Sequence, residues 1–443
     1  MKKKMYKYIS GLAGGLAIFL LISFLSGCDQ SPQSALVWTD VPELVIAAQI
    51  FNKENDRFAV DVEYKANVAS EMKKTNKPPS LVVGKYLLSK SLTKKFVSLD
   101  VLFSKYYLDP NDMYPALLRA GKQGAAHILM PLSFDCMVLV ERKSENESAG
   151  VAVLNPDVLQ SSSEAFTRIG NGEISAMGFS PRWNLEFAED WLLAGGTGFS
   201  LNQNWKSTSA PKPNEANSWP ILWDKGNLEE SVGALLSFNS NVTTEQEDAF
   251  AFTYFNKPGY QLVLDNRVLY WPMKASEFFR LPYSAKTQLR YRFPAVNQKL
   301  LLTADTRYMG IPKGAKNKKA ALAFARWLFV AGNQEKVWKE MESQQLLPDY
   351  VGPFGGFSSI MQMNETVFSK YFPEYAQNPL VPSALPSVTA LPDYWGSFSR
   401  DFLRHWLESV LSDSASSGSI DERFCASLEQ YLGTMPDWRI EDR

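Results

Sequence analysis

The stretch that most constrains the fold is LVWTDVPELVIAAQIFNKENDRFAVDVEYK, residues 36–65. Its opening ALVWTD run is apolar and favours a buried strand. Apolar residues then recur at helical spacing from Leu44 to Phe51, behind Asp40 and Pro42, which are typical of a helix start. RFAVDVEYK next alternates apolar and polar residues, as a half-buried strand does. Strand, helix and strand in this order predict a parallel pair joined by a crossover helix.

The same kinds of pattern continue along the chain and predict a mixed α/β protein. Two polar segments interrupt it, around KSENESAG after residue 142 and in the Asn-, Ser- and Pro-rich stretch 202–220, and both are typical of surface loops. Further strands are predicted at 80–84, 126–132, 136–141 and 261–273. Further helices are predicted at 91–107, 111–121, 162–170, 183–194, 226–238, 242–256, 400–412 and 420–432, with two more after the strand-like segment at 301–311.

Composition excludes several classes of site. The formal net charge is −1 and no basic block lies beyond the first residues, so nucleic acid is not an expected partner. His127 and His405 are the only histidines, which leaves little material for a zinc site or a His-based catalytic triad. No cofactor motif is present, and we expect no cofactor and no metal. Cys136 and Cys425 are either a disulfide or two buried thiols.

The amino terminus has the composition of an export signal. Lys2, Lys3, Lys4 and Lys7 precede a segment that carries no charge as far as Leu25. Such a run approaches the roughly 20 apolar residues of a membrane-spanning helix, so an uncleaved anchor is one interpretation.

The residues that end this run favour a different interpretation. Leu25-Ser26-Gly27-Cys28 resembles the bacterial lipobox, in which the cysteine is acylated and the peptide before it is removed. This implies a signal peptide at 1–27, a lipidated Cys28 and a tether over 28–34. Asp29 resembles the residue that retains lipoproteins in the inner membrane of enteric bacteria, although the choice between inner and outer membrane stays open.

Four stretches, in order, resemble the extracellular solute-binding proteins of the sugar-binding type, which serve as ligand receptors of ABC importers. They are residues 36–65, ILMPLSFDCMVLVERK at 128–143, NRVLYWPM at 266–273, and YMGIPKGAKNKKAALAFARWLFVAGNQEKVW at 308–338. The second resembles the point where the chain leaves the first lobe, and the last resembles its return. The chain departs from the family in PPSLVV at 78–83, which lacks the usual Asp after Pro, and in the bulky residues of NRVLYWPM.

The resemblance implies a two-lobed periplasmic binding protein fold, type II-like, with lobes joined by hinge strands and a ligand between them. It also implies a division of the chain. The expected segments are 35–135 for the first part of lobe 1, 136–300 for lobe 2, 301–345 for the return to lobe 1, and 346–443 for a C-terminal helical extension that packs on the lobes.

Five residues are candidates for ligand contact. Trp38 and Asp40 close the first strand, where Trp can stack on a sugar ring and Asp can accept from hydroxyls; the alternative is a core Trp and a helix-capping Asp. Phe134 and Asp135 lie at the first crossing between lobes, and are either cleft floor or hinge. Trp271 lies where the second lobe commonly supplies an aromatic platform, or belongs to its core. Further aromatic residues at irregular positions are Trp183, Trp219, Trp223, Tyr283 and Trp395.

Three functions remain open at this point. The first is a lipid-anchored, monomeric binding component that delivers a sugar or oligosaccharide to ABC permease subunits on the outer side of a cell membrane. The second is a surface lipoprotein that kept this fold but acts as a sensor or adhesin. The third is a glycoside hydrolase with two carboxylates, for which Asp40, Asp135 and Asp305 are available but no spacing selects a pair. We expect a binding protein and not an enzyme.

Overall fold

A computed structural model describes residues 32–103, 108–143, 153–202, 219–238, 241–346, 351–413 and 418–434. The predicted signal peptide and Cys28 lie outside these ranges, as does most of the predicted excursion at 202–220. Within them, no helix has the length and apolar character needed to cross a bilayer.

The strands of the described residues are mostly short, and the longest ones build two sheets. Along the chain they are β1 (Gln33–Thr39), β2 (Phe58–Tyr64), β3 (Leu81–Gly84), β4 (Lys122–Gln123), β5 (Ala126–His127), β6 (Met130–Phe134), β7 (Met137–Arg142), β8 (Val153–Leu154), β9 (Arg168–Gly170), β10 (Glu173–Ala176), β11 (Phe199–Leu201), β12 (Ile221–Trp223), β13 (Trp271–Lys274), β14 (Leu289–Val296), β15 (Lys299–Leu300), β16 (Arg307–Gly310) and β17 (Phe357–Ser358).

The helices alternate with these strands over most of the chain and dominate its end. They are α1 (Leu44–Glu54), α2 (Val68–Lys74), α3 (Pro115–Ala120), α4 (Pro156–Phe166), α5 (Leu185–Ala194), α6 (Lys225–Ser237), α7 (Thr244–Tyr254), α8 (Gly259–Leu264), α9 (Ala275–Arg280), α10 (Tyr283–Lys286), α11 (Lys318–Leu328), α12 (Ala331–Ser343), α13 (Met361–Met363), α14 (Ser369–Tyr371), α15 (Trp395–Phe398), α16 (Arg404–Ser412) and α17 (Ile420–Thr434). Two π-helical turns, Asn364–Phe368 and Ser399–Leu403, join α13 to α14 and α15 to α16.

The first sheet has the strand order β17-β6-β16-β3-β1-β2. β1 pairs in parallel with both β2 and β3, so the predicted parallel pair with its crossover helix α1 is confirmed. β16 lies antiparallel between β3 and β6. The chain therefore returns to this sheet at Arg307, after leaving it at Phe134. β17 then pairs with the free edge of β6.

The second sheet has the order β13-β7-β14-β15, with β8 alongside β14. Its strands come from residues 137–300, the part of the chain that lies between β6 and β16 of the first sheet. β7 shows how both faces are covered: Val138 and Val140 join one buried cluster, whereas Met137 and Leu139 join another. Because successive side chains of a strand point to opposite faces, an uninterrupted apolar strand of this kind requires packing on both sides of its sheet.

The chain passes between the two sheets at two places. β6 ends at Phe134 and β7 begins at Met137, so Asp135 and Cys136 form the first crossing. The second crossing, residues 301–306, links β15 to β16. Two adjacent crossings of this kind are the covalent hinge that a two-lobed protein requires.

Two local predictions are wrong. Residues 91–107 do not form a helix where they are described, because Leu92 and Leu99 are buried beside short 3-10 turns that turn the chain back on itself. The segment 261–273 is not one strand: it begins in α8 and only its end belongs to β13. A short apolar run fits a buried helix as well as a buried strand, which explains the second error.

The segment after residue 345 contributes to the core and is not purely helical. β17 extends the first sheet, and the aromatic rings of Phe357, Phe368 and Tyr375 contact one another with centroid distances of 5.0–5.7 Å. These rings belong to the same buried cluster as Phe134 and Met309 of the first sheet. The domain boundaries as a whole remain a prediction.

The two described cysteines, Cys136 and Cys425, are free and buried, which favours the thiol interpretation. No group of His, Cys, Asp and Glu side chains in the described ranges is arranged to hold a metal ion.

The packing of β17 predicts a large effect of truncating its central ring. Phe357 is 1% exposed, so Phe357→Ala is expected to lower the free energy of unfolding by about 3–5 kcal/mol. Phe252 is 92% exposed, and Phe252→Ala, the same chemical change, is expected to alter it by less than about 0.5 kcal/mol. Chemical denaturation of both variants checks this. Equal stabilities would mean that the segment after 345 is dispensable for the fold.

Candidate functional site

A cavity of about 490 Å³ lies where the two sheets face each other. On the side of the first sheet it is lined by Ala66 and Asn67, which follow β2, and by Lys85 and Tyr86, which follow β3. The carboxyl ends of parallel strands meet at one edge of a sheet, and ligands of open α/β sheets bind outside that edge.

The opposite wall comes from the second sheet and the C-terminal segment. Its members are Glu186, Glu189 and Asp190 of α5, Lys274 at the end of β13, the second crossing at 303–305, and residues between Trp395 and Arg404. A smaller cavity of about 40 Å³ shares Tyr86, Thr303 and Ala304 with it.

Helix α5 carries three acidic side chains into the wall because of their spacing. Glu186, Glu189 and Asp190 are three and four residues apart, so they share one face of the helix. Asn184 starts this helix, since its side chain accepts from the backbone N–H groups of Glu186 and Phe187. Three carboxylates on one face repel one another unless cations lie opposite.

Those cations are present, and together they form what we call the charge chain. Asp305 binds the ammonium groups of Lys85 and Lys274 at 3.0 and 2.9 Å. Lys274 also binds Glu186 at 3.0 Å. Arg404 bridges the two glutamates, at 2.9 Å from Glu186 and 2.8 Å from Glu189. The charge chain thus contains Lys85, Asp305, Lys274, Glu186, Arg404 and Glu189.

The pairing changes the protonation equilibria of the charge chain. Burial alone would raise the pKa of Asp305, but Lys85, Lys274 and Arg307 together outweigh burial and hold it well below its usual range. Burial likewise opposes the charge on Lys274, yet Asp305 and Glu186 raise its pKa. Both groups are therefore charged at neutral pH.

Aromatic residues complete the wall. The indole N–H of Trp395 donates to Glu189 at 2.9 Å, and Ser399 donates to the same carboxylate. Trp395 is 0% exposed, and the neighbouring Gly396 brings the backbone close to the ring of Tyr86. The C-terminal segment is thus part of the site.

Asp190 differs from the other carboxyls of this wall. It is 3% exposed and lines the cavity, yet among the described residues its carboxyl has neither a hydrogen-bond nor an ion-pair partner. Burial raises its pKa well above the usual aspartate range, and the charges of Glu189, Glu186 and Asp305 act in the same direction, opposed by Lys274.

The structure brings Asp40 and Asp135 near the cavity without making them part of its lining. Asp40 accepts from the backbone N–H of Lys85 at 3.0 Å and lies 3.6 Å from the guanidinium of Arg307. Burial raises the pKa of Asp40, although Arg307 opposes this. Asp135 is 2% exposed; its carboxylate accepts from the backbone N–H groups of Cys136 and Ser276, at 2.9 and 3.3 Å.

Asp135 therefore connects the two crossings. Its carbonyl accepts from the N–H of Thr303 at 3.0 Å, and its carboxylate holds the start of α9. Of the two interpretations that the sequence left open, its surroundings favour the hinge.

The three predicted aromatic contacts lie elsewhere. Phe134 is 0% exposed and packs between Tyr114 and Phe357, with ring centroids 5.1 and 5.7 Å away. It offers no surface to a ligand in this conformation.

The two tryptophans also lie outside the cavity wall. Trp38 donates to Glu63 at 2.8 Å and lies under the ammonium group of Lys65. Trp271 stacks on Trp183 at 5.7 Å, with its indole against Gly259. Lys274, three residues after Trp271 on the same strand, is the member of β13 that reaches the cavity.

Sequence reasoning missed most of the wall. One signal was available: the acidic face of LEFAEDWLLA, whose repulsion requires cations nearby. The cations themselves come from positions far apart in sequence, Lys85, Lys274 and Arg404, and no spacing connects them.

No protein-family model matches the chain, and no curated protein sequence matches it. Solved structures do match. The sugar-binding protein MalE from Xanthomonas citri aligns with a TM-score of 0.57 at 13% identity, over 91% of this chain and 98% of that one. An extracellular solute-binding protein of family 1 from Alicyclobacillus acidocaldarius aligns with a TM-score of 0.56 at 12% identity, over 92% and 98%.

A third match is an ABC substrate-binding protein from Listeria monocytogenes in complex with cycloalternan. It aligns with a TM-score of 0.52 at 15% identity, over 91% of this chain and 99% of that one. The coverage extends over nearly the whole chain, so this protein has the two-lobed α/β fold of solute-binding proteins, as the sequence predicted.

The hinge interpretation of Asp135 predicts a pH effect on stability. Burial raises its pKa from 3.8 to about 6, so the folded state holds this proton more tightly than the unfolded state. Its contribution to stability is therefore complete below pH 4 and is lost as the pH rises through about 6. Asp135→Asn keeps the accepting oxygen but does not titrate.

We expect the wild type to lose about 2–3 kcal/mol relative to Asp135→Asn between pH 4 and 7. Urea unfolding at several pH values measures the difference. Asp265→Asn is the matched control, because this carboxyl is half-exposed and paired with Lys257. Parallel pH profiles for wild type and Asp135→Asn would show that the buried carboxyl does not titrate in this range.

Proposed function

We propose that this protein is the substrate-binding component of an ABC importer, and that it captures a sugar or oligosaccharide in the cavity bordered by the charge chain. The observation that supports this most directly is the position of the cavity, between two sheets that are joined by two short crossings. Hinge bending at such crossings closes the two walls on a ligand, which makes occupancy recognisable to a membrane partner. The names of the structural neighbours, two of which are a sugar-binding protein and a cycloalternan complex, agree with a carbohydrate ligand.

The lining suits hydroxyl groups. Asn67, Lys85 and Lys274 supply donors, whereas Glu186 and Asp190 supply acceptors. Hydrogen bonds to ionised groups are shorter and stronger than neutral ones, so such a wall discriminates between hydroxyl positions. The volume of about 490 Å³ is within the range of small-molecule sites.

The carboxyls that the sequence suggested for catalysis are all held by other groups, which favours binding over hydrolysis. A glycosidase needs two carboxyls free to reach one glycosidic bond. Asp40 is engaged by Arg307 and Lys85, Asp135 by backbone N–H groups, and Asp305 by two lysines. We therefore propose a binding protein without chemistry of its own.

The proposal includes an anchor at Cys28. β1 begins at Gln33, five positions after Cys28, so a lipid on this cysteine would hold the first lobe close to a membrane. Anchoring on the extracytoplasmic side places the cavity where ABC permease subunits operate, with a single copy of the chain as the binding unit.

A ligand screen tests the proposed function. We expect at least one sugar or oligosaccharide to raise the melting temperature, since a ligand at 100 times its Kd stabilises the folded state by about 2.7 kcal/mol. Asp305→Asn removes the carboxylate that orients Lys85 and Lys274, so it should weaken binding roughly tenfold in calorimetry. Asp265→Asn, on the exposed pair with Lys257, should leave the Kd unchanged. A screen without any carbohydrate hit contradicts the function, and products released from an oligosaccharide would contradict its non-enzymatic part.

The anchor has its own test. With residues 1–443 expressed in a bacterial host, Cys28→Ala should carry no acyl chain and should retain residues 1–27, because the acceptor of the lipid is gone. Cys425→Ala, a change of another cysteine, should still be acylated at Cys28 and lack residues 1–27. Mass spectrometry of the N-terminal peptide measures the acylation directly. A wild-type N-terminal peptide that carries no acyl chain would refute the lipid anchor.

A further inference from the structure

The carboxyl of Asp190 lies on the cavity wall without a hydrogen-bond partner among the described residues. Hydrogen bonds satisfy nearly all buried polar groups, and one that stays unsatisfied destabilises the fold. Only 3% of the surface of Asp190 is exposed, and this residue lines the cavity. A group that enters the cavity can therefore reach this carboxyl.

The charges around Asp190 decide what kind of ligand group completes the site. In the charge chain three cations neutralise three carboxylates, so the chain has no cation left over for Asp190. The titratable and charged groups that face it from the packed elements are Glu186 and Glu189 of α5, Lys274 of β13, Asp305 of the second crossing, Cys136 of the first crossing and Arg404 of α16.

We propose that the cavity binds a sugar that carries an amine, and that the ammonium group of this sugar pairs with Asp190. This proposal rests on the proposed function, in which the ligand is a carbohydrate. An ammonium group supplies both things that Asp190 lacks, a positive charge and hydrogen-bond donors. A neutral hydroxyl supplies no positive charge, so it gives Asp190 no reason to ionise among Glu186, Glu189 and Asp305.

Other ligand charges fit less well. An acidic sugar would place a further negative charge beside Asp190, while the cations of the wall are already engaged by carboxylates. A bare metal ion would need several oxygen ligands, and the described residues contain no group of acidic or thiol side chains arranged for one.

The proposal implies that a proton is released on binding. Burial keeps Asp190 protonated more readily than an ordinary aspartate, so the free protein holds a proton on this carboxyl over a wider pH range. An incoming ammonium group favours the ionised form, and the proton then goes to the solvent. At a pH below the pKa of the sugar amine, affinity should therefore rise with pH.

The test uses sugars in matched pairs that differ only by an amine in place of the 2-hydroxyl group of each ring. The pairs are glucosamine and glucose, galactosamine and galactose, mannosamine and mannose, and the β-1,4-linked glucosamine disaccharide and cellobiose. We expect the amine member of at least one pair to bind roughly tenfold more tightly than its neutral partner. Calorimetry in two buffers of different ionisation enthalpy should detect the released proton.

Asp190→Asn has the shape of the protonated side chain and no charge. It should abolish the preference for the amine, so that the two sugars of a pair bind with similar Kd values. The preference is a ratio of two affinities measured on one preparation, so partial unfolding of the variant does not affect it. Asp265→Asn is the control with the same substitution on a half-exposed carboxyl.

The possible outcomes distinguish the amine proposal from the carbohydrate function on which it rests. If neutral sugars bind as tightly as their amine partners in every pair, the amine proposal is overturned and the carbohydrate function stands. If the preference persists in Asp190→Asn, Asp190 is not the group that recognises the amine. If no member of any pair binds and no other carbohydrate does, the proposed function fails, and the amine proposal fails with it.

Discussion

The ion pairs of Asp305 connect elements of both sheets at the second crossing between them. Lys85 follows a strand of the first sheet, Lys274 ends a strand of the second, and Asp305 lies in the second crossing between them. Half-buried pairs contribute little net stability, because their mutual attraction mainly offsets the loss of hydration. Their effect here is geometric, since both lysines contact Asp305 in the arrangement of the two sheets that the structure shows. Through Glu186 and Arg404, the same constraint extends to the C-terminal helices.

The C-terminal segment extends this constraint to the cavity opening. Asp393 accepts from Asn67 through its carbonyl, at 2.9 Å, and its carboxylate pairs with Lys73 at 3.7 Å, both on the side of the first sheet. A few residues later, Trp395 and Ser399 bind Glu189 on the side of the second. One short stretch of chain therefore contacts both walls. Any hinge motion that opens the cavity has to break one of these two sets of contacts.

The fold was largely predictable from the sequence, whereas the site was not. The crossover unit from β1 to β2 is encoded by adjacent residues, since strand alternation, a helix start and helical spacing all occur within residues 36–65. Local rules failed where tertiary burial decides the conformation, as at Leu92 and Leu99 in the region predicted as a helix. The site depends on groups that are distant in sequence, and a lysine such as Lys274 carries no local sign that a carboxylate will face it. The resemblance to a family pointed to strand ends and thus to Asp40 and Trp38, which lie near the correct edge of the sheet but outside the wall.

Two buried aspartates illustrate how structure separates a structural role from a ligand-binding one when the sequence does not. Burial raises the pKa of both Asp135 and Asp190, so titration alone treats them alike. Asp135 accepts from two backbone N–H groups and holds the first crossing to α9, which accounts for its burial. Asp190 is as deeply buried, faces a cavity and has no such partner in the described chain. A satisfied buried carboxyl is explained by the fold that contains it. A carboxyl without such a partner on a cavity wall is open to a group that enters the cavity, and the carboxylates around it favour a cationic one.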